Sequence, residues 1–342
     1  MRTRPGRLQP WLEFEPRPAV IEPIFQWLRS RANPGAHHVP SRVEASTTDI
    51  TSPASPGSGA GLRVREIVRG DFDAIVRLLT RGFPIRSRDY WLRALERLER
   101  RPHPQGYPVF GYCLDAAGVP VGVLLLLFAE VASEGEIITR CNVSSWYVEP
   151  AYRAFGSLLV KVATKDRAVT YFNITPAPHT WLTVEAQGFS VYCKGQIYAA
   201  LALSWPLRKT RVDVFSSDRP EGLTTFEVDL LRQHAAFGCL SIVVSVGAMR
   251  YPFVFQKHRV KGIVPVYRLI YCRDIDDLGR LAGNIGWFLA RRGGLLVRLD
   301  ANAPVAELVG WYSEKRGRKY AKGPRPPRLG DLAFTEAALF DS

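Results

Sequence analysis

Ser145-Trp-Tyr-Val-Glu-Pro-Ala-Tyr-Arg-Ala-Phe-Gly-Ser-Leu-Leu159 reads as a strand that stops at Pro150, turns, and continues as a helix without a long connection. Such a junction aims several free backbone N–H groups and the positive end of the helix dipole at one spot, which suits a pyrophosphate. After the turn, Phe155, Leu158, Leu159 and Val162 recur with helical spacing, so one face of this helix lies on a sheet while its first turn stays open. Gly156 offers a backbone without a side chain, where phosphates could approach closely.

Outward from this junction the chain alternates between the two periodicities. Leu62 to Val68 alternates as a strand. Asp71 is placed to cap a helix with Phe72, Ile75, Val76 and Leu79 on one face, and Ser87 a second with Trp91, Leu95 and Leu98. Strands follow at Val109 to Leu114 and Val121 to Ala129, joined by the turn Asp115-Ala-Ala-Gly118, and another runs from Ile138 to Val148. Beyond the helix come a strand at Val169 to Ile174, a short helix from His179 to Gln187 ended by Gly188-Phe189, and a strand from Gln196 to Leu203. The unbroken apolar run Leu124 to Phe128 suits a strand covered on both faces.

In this order of elements, and in Val148, Pro150, Tyr152, Arg153 and Gly156, residues 62 to 203 resemble the GNAT (GCN5-related N-acetyltransferase-like) acyltransferases. Two positions depart from that pattern: Ala154 stands where glycine is common, and Leu158 occupies the final small position. The resemblance implies an α/β fold with a mixed sheet flanked by helices. It also implies acetyl-CoA or another acyl-CoA as co-substrate and no metal. The cofactor-binding residues it implies are Trp146, Tyr147 and Val148 on the splayed strand, Arg153, Ala154, Phe155, Gly156, Ser157 and Leu158 around the phosphates, and Asn173 on the next strand. Many relatives carry a tyrosine four residues before the Gly-Phe, where this chain has Val184. His179, Tyr192 or water must then serve as the acid, and Ser145 is the candidate on the acceptor side. Glu130 and Glu149 read as exposed strand-end carboxylates, and Cys141 and Cys193 as buried thiols.

The second half repeats the theme. Strands read at Leu240 to Val246, Pro252 to Gln256 and Val264 to Tyr271, followed by a helix through Leu278, Leu281, Ile285 and Leu289 and a strand from Leu295 to Asp300. The pieces Asn173-Ile-Thr-Pro176 and Asn302-Ala-Pro304 also match. Two GNAT-like domains in tandem are therefore expected, at 61–205 and 206–342. The second is degenerate, because Asp274, Asp276 and Asp277 at its helix start would repel a pyrophosphate. Residues 1–60, rich in Pro, Ser and Gly, read as a disordered extension.

Composition bounds the partners. With 342 residues, 46% of them hydrophobic, the chain can bury a full core, and its longest apolar run, Val119 to Val131, is shorter than a membrane helix of about 20 residues. Five widely spaced cysteines without a metal-type spacing and no secretory leader point to a reduced, cytoplasmic protein. The net charge of +14 favours anionic ligands. Nucleic acid is the weaker explanation, since the cations are dispersed and no nucleic-acid-binding motif is present. The exception is the segment Lys315 to Arg328, which reads as a solvated loop, with a docking patch for an acidic substrate or peripheral contact with a membrane headgroup as the alternatives. If that patch meets the acceptor at the junction of the halves, Arg316, Arg318 and Lys319 favour an anionic one. The expected function is acyl transfer to an amine or hydroxyl of a small metabolite or a glycan or lipid precursor. The alternative is a non-catalytic module that binds acyl-CoA or an anionic polymer. Oligomeric state is not legible in the sequence.

Overall fold

A computed structural model describes residues 61–133, 135–216, 221–260 and 264–340; the expected extension 1–60 lies outside them. The chain order begins with β1 (Leu62–Glu66), α1 (Phe72–Gly82), α2 (Arg88–Arg100), β2 (Gly111–Ala116), β3 (Val119–Ser133), β4 (Glu136–Val148) and α3 (Gly156–Ala163). It continues through β5 (Thr170–Asn173), α4 (Trp181–Ala186), β6 (Ser190–Cys193) and β7 (Gly195–Ala199). The expected caps differ in outcome. Ser87 accepts a hydrogen bond from the Tyr90 N–H and caps α2, whereas Asp71 turns away from α1 to bind the Arg65 guanidinium and the Val68 N–H. The hairpin turn forms as expected: Ala117 and Gly118 both take positive φ, and Asp115 accepts from the Gly118 N–H.

The second half contributes β8 (Thr210–Val214), α5 (Thr225–Ala236), β9 (Leu240–Val246), β10 (Met249–Val260), β11 (Val264–Cys272), α6 (Ile275–Ala290), β12 (Leu296–Ala301), β13 (Gly310–Ser313), β14 (Lys319–Lys322) and α7 (Glu336–Leu339). Two seven-stranded mixed sheets result, ordered β1-β2-β3-β4-β5-β14-β6 and, read from the opposite edge, β8-β9-β10-β11-β12-β7-β13. Each has one parallel pair near its centre, β4 with β5 and β11 with β12. The tandem is thus visible in the topology.

The sheets exchange strands, which corrects the reading of Gln196 to Leu203 as the last strand of the first sheet. β7 pairs with β12 and β13 of the second sheet, while β14 from the second half fills the slot between β5 and β6. The cause is local. Lys194 alone separates β6 from β7, and one residue cannot reverse a chain into a hairpin, so the strand runs on into the neighbouring sheet. Residue 205 therefore separates two repeats in sequence without separating two sheets. The segment Lys315 to Arg328 is corrected with it: its centre is β14, and Lys319, 1% exposed, donates to the Asp300 carboxylate at 2.6 Å and to the Gly317 carbonyl at 2.9 Å.

Alternation along β3 places Leu124, Leu126 and Phe128 under α3 and α4, with Leu159, Val160 and Val184. Val123, Leu125 and Leu127 face a core shared by both halves, with Leu230 and Leu231 of α5, Val254 and Ile270 of the second sheet, and Leu332 to Leu339. α6 covers the far face of the second sheet through Leu278, Leu281, Ile285 and Leu289.

A C-terminal strap binds the halves together. The Cys272 N–H donates to the Gly330 carbonyl, and the Leu332 N–H to the Ile270 carbonyl, so the strap pairs with the end of β11. Arg140 on β4 then grips Asp331 with two 2.9 Å bonds and donates to the Ala333 carbonyl. Burial alone would raise the Asp331 carboxyl, but the Arg140 charge and hydrogen bonds hold it down at about 2. His234 on α5 completes the clasp. Its Nε2 accepts the Phe334 N–H at 3.1 Å, so Nδ1 carries the proton and donates to the Leu230 carbonyl at 2.8 Å.

Burial lowers the His234 pKa from 6.5 to about 4, against the opposing hydrogen bond to Leu230. The unfolded chain therefore takes up a proton below pH 6.5 that the native state refuses, and stability present above that pH is lost as pH falls toward 4. The expected loss from this residue is about 2 kcal/mol between neutrality and pH ~5. Denaturant midpoints across that range check it: a His234→Gln variant should show a flatter profile, and an equally steep one would remove His234 as the cause.

Candidate functional site

β4 and β5 pair only through Arg140 with Thr170, Cys141 with Tyr171, and Asn142 with Phe172. Beyond Asn142 they diverge, and the edge of β4 that faces β5 continues to Val148 without a strand partner. Asn142 pins the apex. Fully buried, it donates to the Phe172 and Val143 carbonyls and accepts the Glu336 N–H at 2.8 Å. On the other edge of β4 the register against β3 shifts, pairing Val123 with Tyr147 but Leu125 with Ser144. The extra residue makes a bulge at Ser145 and Trp146, and Ser145 takes φ +51° to form it.

A cavity of about 640 Å³ opens at this wedge. One wall is the bulge, from Ser144 to Tyr147. Opposite lie Asn173, Thr175 and His179, while the α1–α2 loop contributes Phe83 and Arg86 and the first turn of α2 Tyr90 and Trp91. The strap brings in Glu336 and Phe340. Glu336 is held at both oxygens: Ser144 Oγ donates to one, and Thr175 Oγ1 donates to the other at 2.6 Å. Ser145 Oγ lies 2.9 Å from Ser144 Oγ, extending the chain of hydroxyls to the bulge. The wedge thus ends in an oriented carboxylate.

A second cavity of about 760 Å³ adjoins the first, sharing Val160 and Gln187, and runs between α3 and α4 past Ser157, Leu158, Thr164 and the ammonium groups of Lys161, Lys165 and Lys322. Lys322 belongs to the exchanged strand β14. It is aimed by bonds to the Gln187 carbonyl at 3.0 Å and Thr164 Oγ1 at 3.4 Å. Along the joined cleft the Trp146 Nε1 and Gln187 Nε2 donors are shielded from solvent and lack a partner among the described residues. Buried donors beside a cavity lined with ammonium groups suit a ligand that carries hydrogen-bond acceptors and negative charge.

Of the residues put forward from sequence, the structure brings Ser145, Trp146, Tyr147, Arg153, Asn173 and His179 to the inner cavity and Ser157 and Leu158 to the outer one. Val148, Ala154, Phe155 and Gly156 line neither. The reading of Gly156 is corrected. It is buried, and a Cβ there would meet the Trp146 ring at 3.1 Å, so the glycine makes room for tryptophan instead of for a phosphate. Tyr192 lies on β6 outside the cleft, with its hydroxyl buried and its pKa pushed well up by burial. None of 315–328 reaches the inner cavity, and Arg318 stacks on Trp181 of α4 at 4.0 Å, so this segment does not meet an acceptor there. Sequence reasoning missed Glu336 and Lys322. Each lies more than a hundred residues from the elements it serves, and neither sits in a motif.

The second wedge is shut. Where β4 leaves its edge free, the matching end of β11 is paired by the strap, and Asp274 turns inward to cap its own helix through the Asp276 N–H. Among the described residues no group of side chains could hold a metal ion.

These features define the class: the fold is that of the GCN5-related N-acetyltransferases, present as a tandem. A GCN5-related N-acetyltransferase from Anabaena variabilis superposes with a TM-score of 0.50 at 10% identity, over 76% of this chain and 72% of that one. One from Kribbella flavida gives 0.49 at 15% identity, over 77% and 72%. The N-myristoyltransferase of Saccharomyces cerevisiae with bound myristoyl-CoA gives 0.42 at 10%, over 84% and 89%. No family model and no curated protein matches the sequence.

Proposed function

We propose that the chain transfers an acyl group from an acyl-coenzyme A, most simply acetyl-coenzyme A, directly to an amine or hydroxyl of a small acceptor, with metabolites and glycan or lipid precursors as the candidate classes. The observation that carries this reading is the pair of cavities that share Val160 and Gln187, one lined by Lys161, Lys165 and Lys322 and the other by the Glu336 carboxylate. When bound, the cofactor supplies a thioester. Lys161, Lys165 and Lys322 neutralise phosphates, and Gln187 and Trp146 offer donors to the amide-bearing arm. The unpaired edge of β4 offers backbone N–H groups to a carbonyl oxygen. Glu336 takes the proton that the acceptor gives up as its nitrogen or oxygen bonds to the acyl carbon and the carbon–sulfur bond breaks. Ser144 and Thr175 keep the carboxylate aimed, and Ser145 and His179 remain groups of the cleft wall.

Calorimetric titration of the full chain with coenzyme A and acetyl-coenzyme A tests the cofactor, and thiol release across amine and hydroxyl acceptors tests turnover. Saturable binding is expected, weakened about tenfold or more by Lys322→Glu, which places like charge beside the phosphates. A folded protein that binds neither form sinks the reading. Binding with no thiol release on a broad panel would favour the non-catalytic module.

A further inference from the structure

On the second half, away from the cleft, two tryptophans stand in water: Trp205 is 91% and Trp287 54% exposed. They are not on a loose loop. A Cβ on Gly283 would lie 2.6 Å from the Trp205 carbonyl carbon, and one on Gly286 would lie 2.1 Å from the Ala202 nitrogen, so both glycines exist to let this segment press against α6. Asn284 then clamps Leu207, accepting its N–H at 2.8 Å and donating to its carbonyl at 3.1 Å. Trp287 follows Gly283 by one helical turn, and Arg291 follows Trp287 by another, so the segment and the helix present one face. Leu203 and Leu207 are exposed beside Trp205, as is Leu295 beyond the end of α6.

Cations surround these apolar groups. Arg208 and Lys209 follow Leu207 directly, and Arg291 and Arg292 end the helix. Among the described residues Arg208, Lys209 and Arg291 have no carboxylate partner, and Arg292 stacks on Phe288 at 3.7 Å. Glu307 borders the face, with its side chain against Gly279. A second copy of this chain is a poor occupant, since a two-fold contact would set Arg208, Lys209, Arg291 and Arg292 against their own images. A purely ionic polymer would leave the tryptophans and leucines unused. Rigid exposed indoles rimmed by arginine and lysine match the boundary of an anionic bilayer, where the rings lie at headgroup depth and the cations meet phosphates.

We propose that this face, built from Leu203 to Lys209 and the Trp287 to Arg292 end of α6, docks the protein on anionic lipid membranes. No helix among the described residues is long and apolar enough to cross a membrane.

Co-sedimentation of the full chain with vesicles tests this, using phosphatidylcholine alone and an equal mixture with phosphatidylglycerol. Wild type should pellet with the mixed vesicles and stay in solution with the neutral ones. Trp205→Ala combined with Trp287→Ala should lower that partition about tenfold, and Arg208→Glu combined with Arg291→Glu should lower it at least as far, with thermal midpoints unchanged in both. Failure of wild type to prefer the anionic vesicles overturns the proposal, as does a tryptophan variant that pellets like wild type. Two further results overturn it by assigning another occupant. A lipid-free dimer in sedimentation velocity, dissociated by the tryptophan changes, points to a second copy, and tryptophan-dependent retention on soluble polyphosphate points to a polyanion.

Discussion

Glu336→Gln should lower kcat/KM by about 10²–10³-fold while leaving the affinity for coenzyme A unchanged. The substitution is close to isosteric. Its amide oxygen can still accept from one of the two hydroxyls that hold the carboxylate, and its amide nitrogen can donate to the other, because Ser144 and Thr175 are free to rotate and accept. The backbone N–H of residue 336 keeps its bond to Asn142, so the strap stays docked. What disappears is a group that can take a proton. The loss should appear in kcat/KM measured by thiol release, with an unchanged calorimetric affinity for coenzyme A as the control. Ser144→Ala is expected to be milder, since it loosens one oxygen of Glu336 without removing the base. A Glu336→Gln protein as active as wild type would take the carboxylate out of the chemistry and leave it as a fastener between Ser144 and Thr175.

The sequence made one wall of this cleft legible and hid the other. The wall built from β4 and α3 is written in consecutive residues, because a strand that ends at a proline and feeds a helix has a local pattern, and Ser145 to Leu159 shows it. Local pattern also placed the Ala117-Gly118 turn and the two-sided burial of β3. It misassigned Gly156, because the volume a missing Cβ vacates can be filled from either side, and only the fold shows that Trp146 fills it. Lys322, Glu336 and Phe340 reach the cleft from the C-terminal stretch, residues 319 to 340. Lys319 and Lys322 sit in a run of cations that looks like a solvated loop, and the partners that bury Lys319 and aim Lys322 are Asp300, Thr164 and Gln187. Long-range pairing of this kind leaves no periodic trace. The strap is equally quiet, for Asp331, Phe334 and Glu336 act through partners far away in sequence, among them Arg140, His234 and Asn142.

A chain cut after Pro206 should not fold as a monomer in either piece, although the repeat boundary falls close to that point. The piece 61–206 loses β14, which fills the gap between β5 and β6, so it would carry two open strand edges beside an apolar core. It would also lose the cover that Leu230, Leu231 and Leu332 to Leu339 give to Val123, Leu125 and Leu127. Arg140 would lose the Asp331 carboxylate and the Ala333 carbonyl together with the strap that covers it. The piece from 207 onward fares no better, since β7 lies between β12 and β13 and its removal splits the second sheet. Expressed separately, both pieces should aggregate; expressed together, they should assemble, because every exchanged strand is then present. Sedimentation velocity and far-ultraviolet circular dichroism of the separate and combined pieces check this. A soluble, monomeric 61–206 with native strand content would show that the first sheet can close around its own β7, and the strand exchange would then be dispensable for the wedge that carries the site.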